Sequence, residues 1–524
     1  MKKYFKKISA LLMAAIMVLS MCTAVFAATG DVPKDGDAAQ VTINGLENGV
    51  TIKAYQIVDG VYTNNGFTGF TWTELSGKSG KVFTTDGKGN QILDLSQAEL
   101  NTIVEKINDK GTTPKTITLG ANNLSNETLE VGTWLLVVSG GTKVYNPMVV
   151  SVYYSDVTGN PVGGTLKADE GWTLVGGVTY AKESDITIDK VTNKDTAETD
   201  GKTTTEESKE ADVVTYTITG VIPAYKAEYK KIIYKITDKL TNLELTDDAF
   251  EVKVNGNTVD AGNYKLTKED GKSFTLEFKE TYIKGLKDET DAGRTVTVTY
   301  KATLTAEATT WDAAHNNAKV EYTNSPDGTT STKEDNTNTY TFDINGQIKK
   351  VKKVDDEEVA LAGAEFTLYR KYVDKELSDP VGTYETTDNG LVVFKGLAAG
   401  TYYLTETKAP DTYTLNTNIY EITITPKYTD GTTGNESGKK ELKSYTITVK
   451  EMKADGTAVG DPKTSPDYEE GTDIGVLVNI LNTKVGQLPS TGGMGTYIFT
   501  IAGVVLMACA AGAFIISRKK SSEE

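Results

Sequence analysis

The chain has 524 residues, room for roughly three or four domains at about 150 residues each. Its formal net charge of −17 argues against nucleic acid or an anionic membrane surface as partner. A single histidine, His315, leaves little material for His-based catalysis, and with no metal cluster, EF-hand-like spacing or phosphate loop in view, no cofactor is expected.

In chain order, the first element is a targeting segment. MKKYFKKISALLMAAIMVLSMCTAVFAATG opens on Lys2, Lys3, Lys6 and Lys7, continues as an apolar core, and reaches small residues at Ala27 and Ala28. This is the pattern of a secretory signal peptide over residues 1–27. The two cysteines are Cys22, within that segment, and Cys509, in an apolar run near the other end. The exported region between them has no cysteine and therefore no disulfide. Extracellular domains often rely on such a staple, so another cross-link or core packing alone must serve.

Residues 28–183 form the first expected domain. LSQAELNTIVEKIND (95–109) predicts one amphipathic helix, capped by Ser96, with Leu100, Ile103, Val104 and Ile107 on its apolar face. Elsewhere the chain is rich in Thr, Val, Tyr and Ile, and alternation recurs in VVTYTITGVI (213–222), TVTVTYKATL (295–304) and YEITITP (420–426). Period two with turn residues between runs predicts an all-β chain of antiparallel sandwiches. A second domain is expected over 184–343 and a third over 344–486, separated by the polar run NSPDGTTSTKEDNTNT (324–339).

The last segment, 487–524, joins LPSTG (488–492) to a 20-residue apolar run from Tyr497 to Ile516 and a basic end at Arg518, Lys519 and Lys520. The run is long enough to span a bilayer and the cations would halt export. The combination resembles the LPxTG cell-wall sorting signal of Gram-positive surface proteins. The resemblance implies that a sortase cleaves between Thr491 and Gly492, holds the Thr491 carbonyl as a thioester, and passes it to an amine. Leu488 and Pro489 would set an extended, kinked shape for the sortase groove, with Ser490 in the variable position. This chain would then be a sortase substrate, not an enzyme.

Three further stretches narrow the likeness. YYLTETKAPDTY (402–413) resembles the YxLxETxAPxGY "E-box" of sortase-assembled pilins, with Thr412 where that pattern has glycine. LAGAEFTLYRK (361–371) and ILNTKVGQLPSTGG (480–493) resemble the start and end of a collagen-adhesin B-type domain, and YNPMVVSV (145–152) the last part of a pilin N-terminal domain. The chain is thus identified as similar to the major backbone subunit of a sortase-assembled pilus, with tandem immunoglobulin-like, collagen-adhesin-type sandwiches.

That resemblance implies intramolecular Lys–Asn isopeptide bonds, each formed beside an acid. Strand parity tests which residues can point inward, since side chains two apart share a face. Asn482 ends the row Ile474, Val476, Val478, Ile480; Glu406 follows Tyr402 and Leu404; Lys353 follows Val351. In the middle domain Lys190 follows Ile186 and Ile188, Asp238 follows Ile232, Tyr234 and Ile236, and Asn324 follows Ala318, Val320 and Tyr322. The expected bonds are Lys353–Asn482 with Glu406, and Lys190–Asn324 with Asp238, Asn316 and Asn317 being competing acceptors. Lys53 and Asn146 are a candidate pair in the first domain.

A pilus backbone also needs a lysine to accept Thr491 of the next subunit. In the family this lysine often sits in a YPKN-like motif at the end of the N-terminal domain. VTYAKES (178–184) is the nearest stretch here and points to Lys182, with Lys143 in GTKVYNP as the second candidate. The partners implied are a sortase, further copies of the chain, minor pilins and peptidoglycan, at the cell surface. The alternative is a monomeric wall-anchored adhesin, or a minor tip or base pilin, that binds a host or matrix ligand.

Overall fold

A computed structural model describes residues 25–26, 32–485 and 507, leaving out 86–90, 111–112, 158–160, 167–170, 200–210, 226–228, 230, 247–249, 287–292, 327, 430–438 and 473–474. The LPSTG segment, the apolar run, the basic end and nearly all of the signal peptide lie outside the described residues.

The first unit is a twisted antiparallel sheet. Its main strands are β1 (Thr51–Thr63), β2 (Gly66–Trp72), β3 (Gly132–Ser139), β4 (Met148–Asp156) and β5 (Trp172–Gly176), in the order β5-β4-β3-β1-β2. Helix α1 (Gln97–Lys110) starts where the sequence predicts. Ser96 and Glu99 cap each other, the Glu99 N–H donating to Ser96 Oγ at 3.3 Å and the Ser96 N–H to Glu99 Oε2 at 2.7 Å. Ile103, Val104 and Ile107 are buried against Trp72, Ile57 and Leu135 of the sheet, so the helix persists through its apolar face.

The middle unit is a two-sheet sandwich. In chain order its principal strands are β6 (Ile188–Thr192), β7 (Val213–Ile222), β8 (Tyr234–Thr241), β9 (Glu251–Val254), β10 (Ser273–Phe278), β11 (Arg294–Leu304), β12 (Ala314–Thr323) and β13 (Thr330–Thr339). Strands β6-β7-β11-β9 form one sheet and β10-β8-β12-β13 the other. Alternation governs both: in β7, Val214, Tyr216, Ile218 and Ile222 are buried while Val213, Thr215 and Thr217 are not. The polar run 324–339, which the sequence suggests as a boundary, instead supplies edge strand β13, paired along its length with β12. Its Thr337 and Thr339 are buried.

The third unit is a second sandwich. Its strands are β14 (Phe342–Val354), β15 (Glu357–Ala360), β16 (Glu365–Val373), β17 (Glu376–Glu385), β18 (Leu391–Leu397), β19 (Gly400–Lys408), β20 (Ile419–Tyr428), β21 (Leu442–Met452) and β22 (Val478–Asn482). One sheet runs β15-β14-β18, with β22 added parallel to β14; the other runs β17-β16-β19-β20-β21. The first and last strands of the unit are therefore neighbours. Phe342, Ile344, Phe366, Leu368, Phe394, Leu404, Ile422, Ile447 and Ile480 form its core.

Polar contacts tie the units together. Tyr229 Oη donates to the Tyr145 carbonyl at 2.8 Å and Tyr322 Oη to the Thr142 carbonyl at 2.5 Å, joining the first unit to the second. Between the second and third, Glu198 is held by Arg370 through two hydrogen bonds of 3.1 and 2.6 Å, and by Tyr402 Oη at 3.1 Å.

Candidate cross-linking sites

Each sandwich buries a lysine, an acid and an asparagine in contact. In the third unit Lys350 Nζ donates to Glu406 Oε2 at 3.1 Å and to Asn482 Oδ1. Asn482 Nδ2 donates to Glu406 Oε1 at 2.8 Å, and the Asn416 N–H to Glu406 Oε2 at 2.7 Å. The side chains of Lys350 and Glu406 have no exposed surface, and Asn482 is buried. Strand β14 carries Lys350, β19 Glu406 and β22 Asn482, so the site joins both sheets and both ends of the unit.

In the second unit Lys190 Nζ donates to Asp238, to Asn316 Oδ1 at 2.7 Å and to Tyr300 Oη at 2.8 Å. Asn316 Nδ2 also donates to Tyr300 Oη, at 2.7 Å. Lys190, Asp238 and Asn316 are all fully buried, on β6, β8 and β12. The contacts therefore cross from one sheet to the other.

Burial sets the electrostatics. Desolvation, only partly offset by the neighbouring acid, lowers both Lys350 and Lys190 to about 8. The same desolvation raises Asp238 above the usual carboxylate range, against the opposing pull of Lys190. Both shifts favour the neutral amine beside the neutral acid. That is the protonation state in which a lysine can attack an amide carbon.

The structure corrects two of the expected partners. Lys353 is exposed on the hairpin arm of β14, opposite Glu358 of β15, and Lys350 takes the place beside Asn482. The alternation assumed through Val351 does not hold: Ile348, Lys350 and Val351 are all buried, and the pairing of β14 with β18 shifts register between Asn345 and Lys349. Asn324 is buried but lies just beyond β12, where its Nδ2 donates to the Gly141 carbonyl of the first unit at 3.2 Å. Asn316, at the other end of the same row, meets Lys190. Tyr300 was not anticipated as a member of the site.

The remaining candidates lie at the junction of the first two units. Lys182 is half-buried, next but one to Tyr180, which is 67% exposed. Its carbonyl accepts the Asn146 N–H at 2.9 Å. Lys143 Nζ is paired with Glu183. Lys53 lies on β1 opposite Val137, and among the described residues no hydrogen bond joins it to Asn146. His315 is exposed, its ring bonded to Asn338 at 2.7 Å. Thr412, in the glycine position of the box motif, has φ of +74°, a left-handed conformation that a β-branched residue adopts at a cost.

Residues 346–441 match the family model of a prealbumin-like fold domain, and residues 480–523 match that of the LPXTG cell wall anchor motif. Over 574 aligned positions the chain is 27% identical to the trypsin-resistant surface T6 protein of Streptococcus pyogenes serotype M6, covering 97% of this chain and all of the relative. The fold agrees with the solved structure of the T6 backbone pilin of the same serotype, a modular three-domain protein, at a TM-score of 0.57 and 22% identity, over 87% of this chain and all of that one. The chain is thus a homologue of the trypsin-resistant surface T6 protein, shares the fold of the T6 backbone pilin, and carries matches to a prealbumin-like domain and to the LPXTG cell wall anchor motif.

Proposed function

We propose that the chain is the structural backbone subunit of a covalently assembled surface pilus, and that each of its two sandwiches is locked by an internal isopeptide bond. The observation that carries this reading is the pair of buried constellations, Lys190–Asp238–Asn316 and Lys350–Glu406–Asn482, in successive units upstream of an LPXTG motif. A charged lysine and acid with no solvent would be a costly way to fill two cores. Converting lysine and asparagine to an amide removes both the amine and the primary amide from that problem.

The reaction is self-processing. Within each pair the proton moves from lysine to acid, and the neutral Nζ attacks the asparagine Cγ. The protonated acid stands beside the reacting groups, and in the third unit Glu406, which holds both the amine and the leaving amide, relays protons while ammonia leaves. Each bond forms once, without turnover. In the third unit the bond links two adjacent parallel strands, β14 and β22, from opposite ends of the unit. Tension entering at one end can then pass to the other without loading the core.

Assembly follows from the ends of the chain. A sortase cleaves after Thr491, and Lys182 accepts the acyl group of a neighbouring copy; the last subunit is transferred to peptidoglycan. Minor pilins and a host or matrix ligand complete the expected partners. The test is electrophoresis of cell-wall extracts in sodium dodecyl sulfate. A ladder of resistant multimers containing this chain, lost when the sortase is deleted, is expected. A monomer alone would contradict the backbone assignment and favour a wall-anchored adhesin.

A further inference from the structure

The two constellations differ in how the leaving nitrogen is handled, and the difference lies in one hydroxyl. In the third unit Glu406 does two jobs: one oxygen accepts from Lys350 Nζ and the other from Asn482 Nδ2. Amine and leaving amide are therefore bridged by the acid itself. Among the described residues no tyrosine hydroxyl reaches Lys350; the ring of Phe366 lies 5.5 Å from its Nζ instead. In the second unit Asn316 Nδ2 donates to Tyr300 Oη at 2.7 Å, and its contact with Asp238 is absent among the hydrogen bonds of the described residues. The Tyr300 oxygen also receives Lys190 Nζ at 2.8 Å.

We propose that Tyr300 is a catalytic residue of the Lys190–Asn316 reaction, carrying a proton from the attacking amine to the departing nitrogen, a role that Glu406 fills alone in the third unit. The proposal rests on the cross-linking reading given above. Tyr300 is 2% exposed, and its ring is clamped by Tyr216 at 5.6 Å, Phe250 at 5.4 Å and, edge-on, Phe274 at 4.9 Å. The hydroxyl is thus fixed between the two nitrogens that must exchange a proton. Burial raises the phenol well above its ordinary range and keeps it protonated, so it has a proton to give.

The step balances as follows. The Lys190 lone pair forms the Nζ–Cγ bond and the carbonyl electrons move to Asn316 Oδ1. A proton passes from Nζ to Tyr300 Oη while the Tyr300 hydroxyl proton passes to Nδ2. The Oδ1 electrons return, the Cγ–Nδ2 bond breaks with its electrons on nitrogen, and ammonia departs. Tyrosine ends as it began. Asp238 accepts the first proton from the lysine ammonium and stays neutral beside the new amide.

The test is Tyr300→Phe in the full mature chain, which keeps the ring packing and deletes the relay. Newly synthesised protein is followed by digestion and mass spectrometry, timing each cross-link separately. The Lys190–Asn316 bond should form on the order of 10²-fold more slowly, within the span of general acid–base effects. The Lys350–Asn482 bond in the same molecules should keep its wild-type rate. Equal rates for the Lys190–Asn316 bond in wild type and Tyr300→Phe would overturn the role of the tyrosine. If Tyr300→Phe does not fold, ring-fluorinated tyrosine placed at 300 preserves shape and changes phenol acidity; an altered rate supports the relay, and an unchanged rate overturns it. A wild-type chain that never forms the Lys190–Asn316 bond would instead refute the cross-link reading itself.

Discussion

Replacing Asn482 by alanine removes the acyl partner of the third-unit bond while leaving Lys350 and Glu406 paired, both without exposed side-chain surface. The substitution therefore isolates the cross-link from the penalty of a stranded charge. Lys350 and Asn482 are 132 positions apart in sequence. Treated like a disulfide closing a loop of that size, the bond restricts the unfolded chain by about 5 kcal/mol at 25 °C. For a domain of this size, 1 kcal/mol moves the melting temperature by roughly 3 °C, so a drop on the order of 15 °C is expected. Differential scanning calorimetry of the mature chain should show one transition falling by that amount while the transition of the middle unit stays near its wild-type position. Intact mass should rise by one ammonia after correction for the substitution. If the mass correction shows no lost bond, or the melting temperature changes by a few degrees or less, the proposed closure of the domain is wrong.

Four further outcomes are expected. Glu406→Ala should leave Lys350 and Asn482 unlinked and the Lys190–Asn316 bond intact, as peptide mapping would show. The rate of Lys190–Asn316 formation should be bell-shaped in pH: the reactive pair holds one proton, a second on the raised Asp238 stops it in acid, and loss of the shared proton, governed by the lysine near 8, stops it in base. A rate that climbs steadily from pH 8 to 10 would count against the acid's role. Lys182→Ala should abolish the multimer ladder, and wild-type polymer in that variant would reassign the acceptor. Thr412→Gly should raise thermal stability by about 1 kcal/mol by relieving the φ of +74°; no gain would show that its surroundings absorb the strain.

The sheet architecture was legible because alternation is a local signal. VVTYTITGVI is β7 residue for residue, and TVTVTYKATL and YEITITP lie within β11 and β20. Helix α1 was legible because the Ser96 cap and the apolar spacing agree; the reciprocal cap from Glu99 came with the structure. The acids Asp238 and Glu406, with Lys190 and Asn482, are buried as parity requires, although the row leading to Asn482 is buried only from Val478, Val476 being exposed. Parity failed at Lys353 because β14 has irregular pairing and then runs beyond the core into a hairpin, so two consecutive residues, Lys350 and Val351, are both buried. A fully regular strand was assumed where the chain has none.

The Asn324 error is one of strand direction, which the observed pairing supplies. β8 and β12 are antiparallel, pairing Asp238 with Ala318 and Leu240 with Asn316. The C-terminal end of the first row must therefore face the N-terminal end of the second, which holds Asn316 and not Asn324. Tyr300 had no such signal. It follows Val298 on an alternating strand and reads as one more core aromatic. Its hydroxyl meets Lys190 of its own sheet and Asn316 of the facing one, contacts that no spacing in the chain encodes.

The most direct measurement is the intact mass of the mature chain, followed by mapping of its cross-linked peptides. Two losses of ammonia are expected, one joining Lys190 to Asn316 and the other Lys350 to Asn482. A chain of unmodified mass, or bonds mapped to Asn324 or Lys353, would contradict the sites the fold brings together.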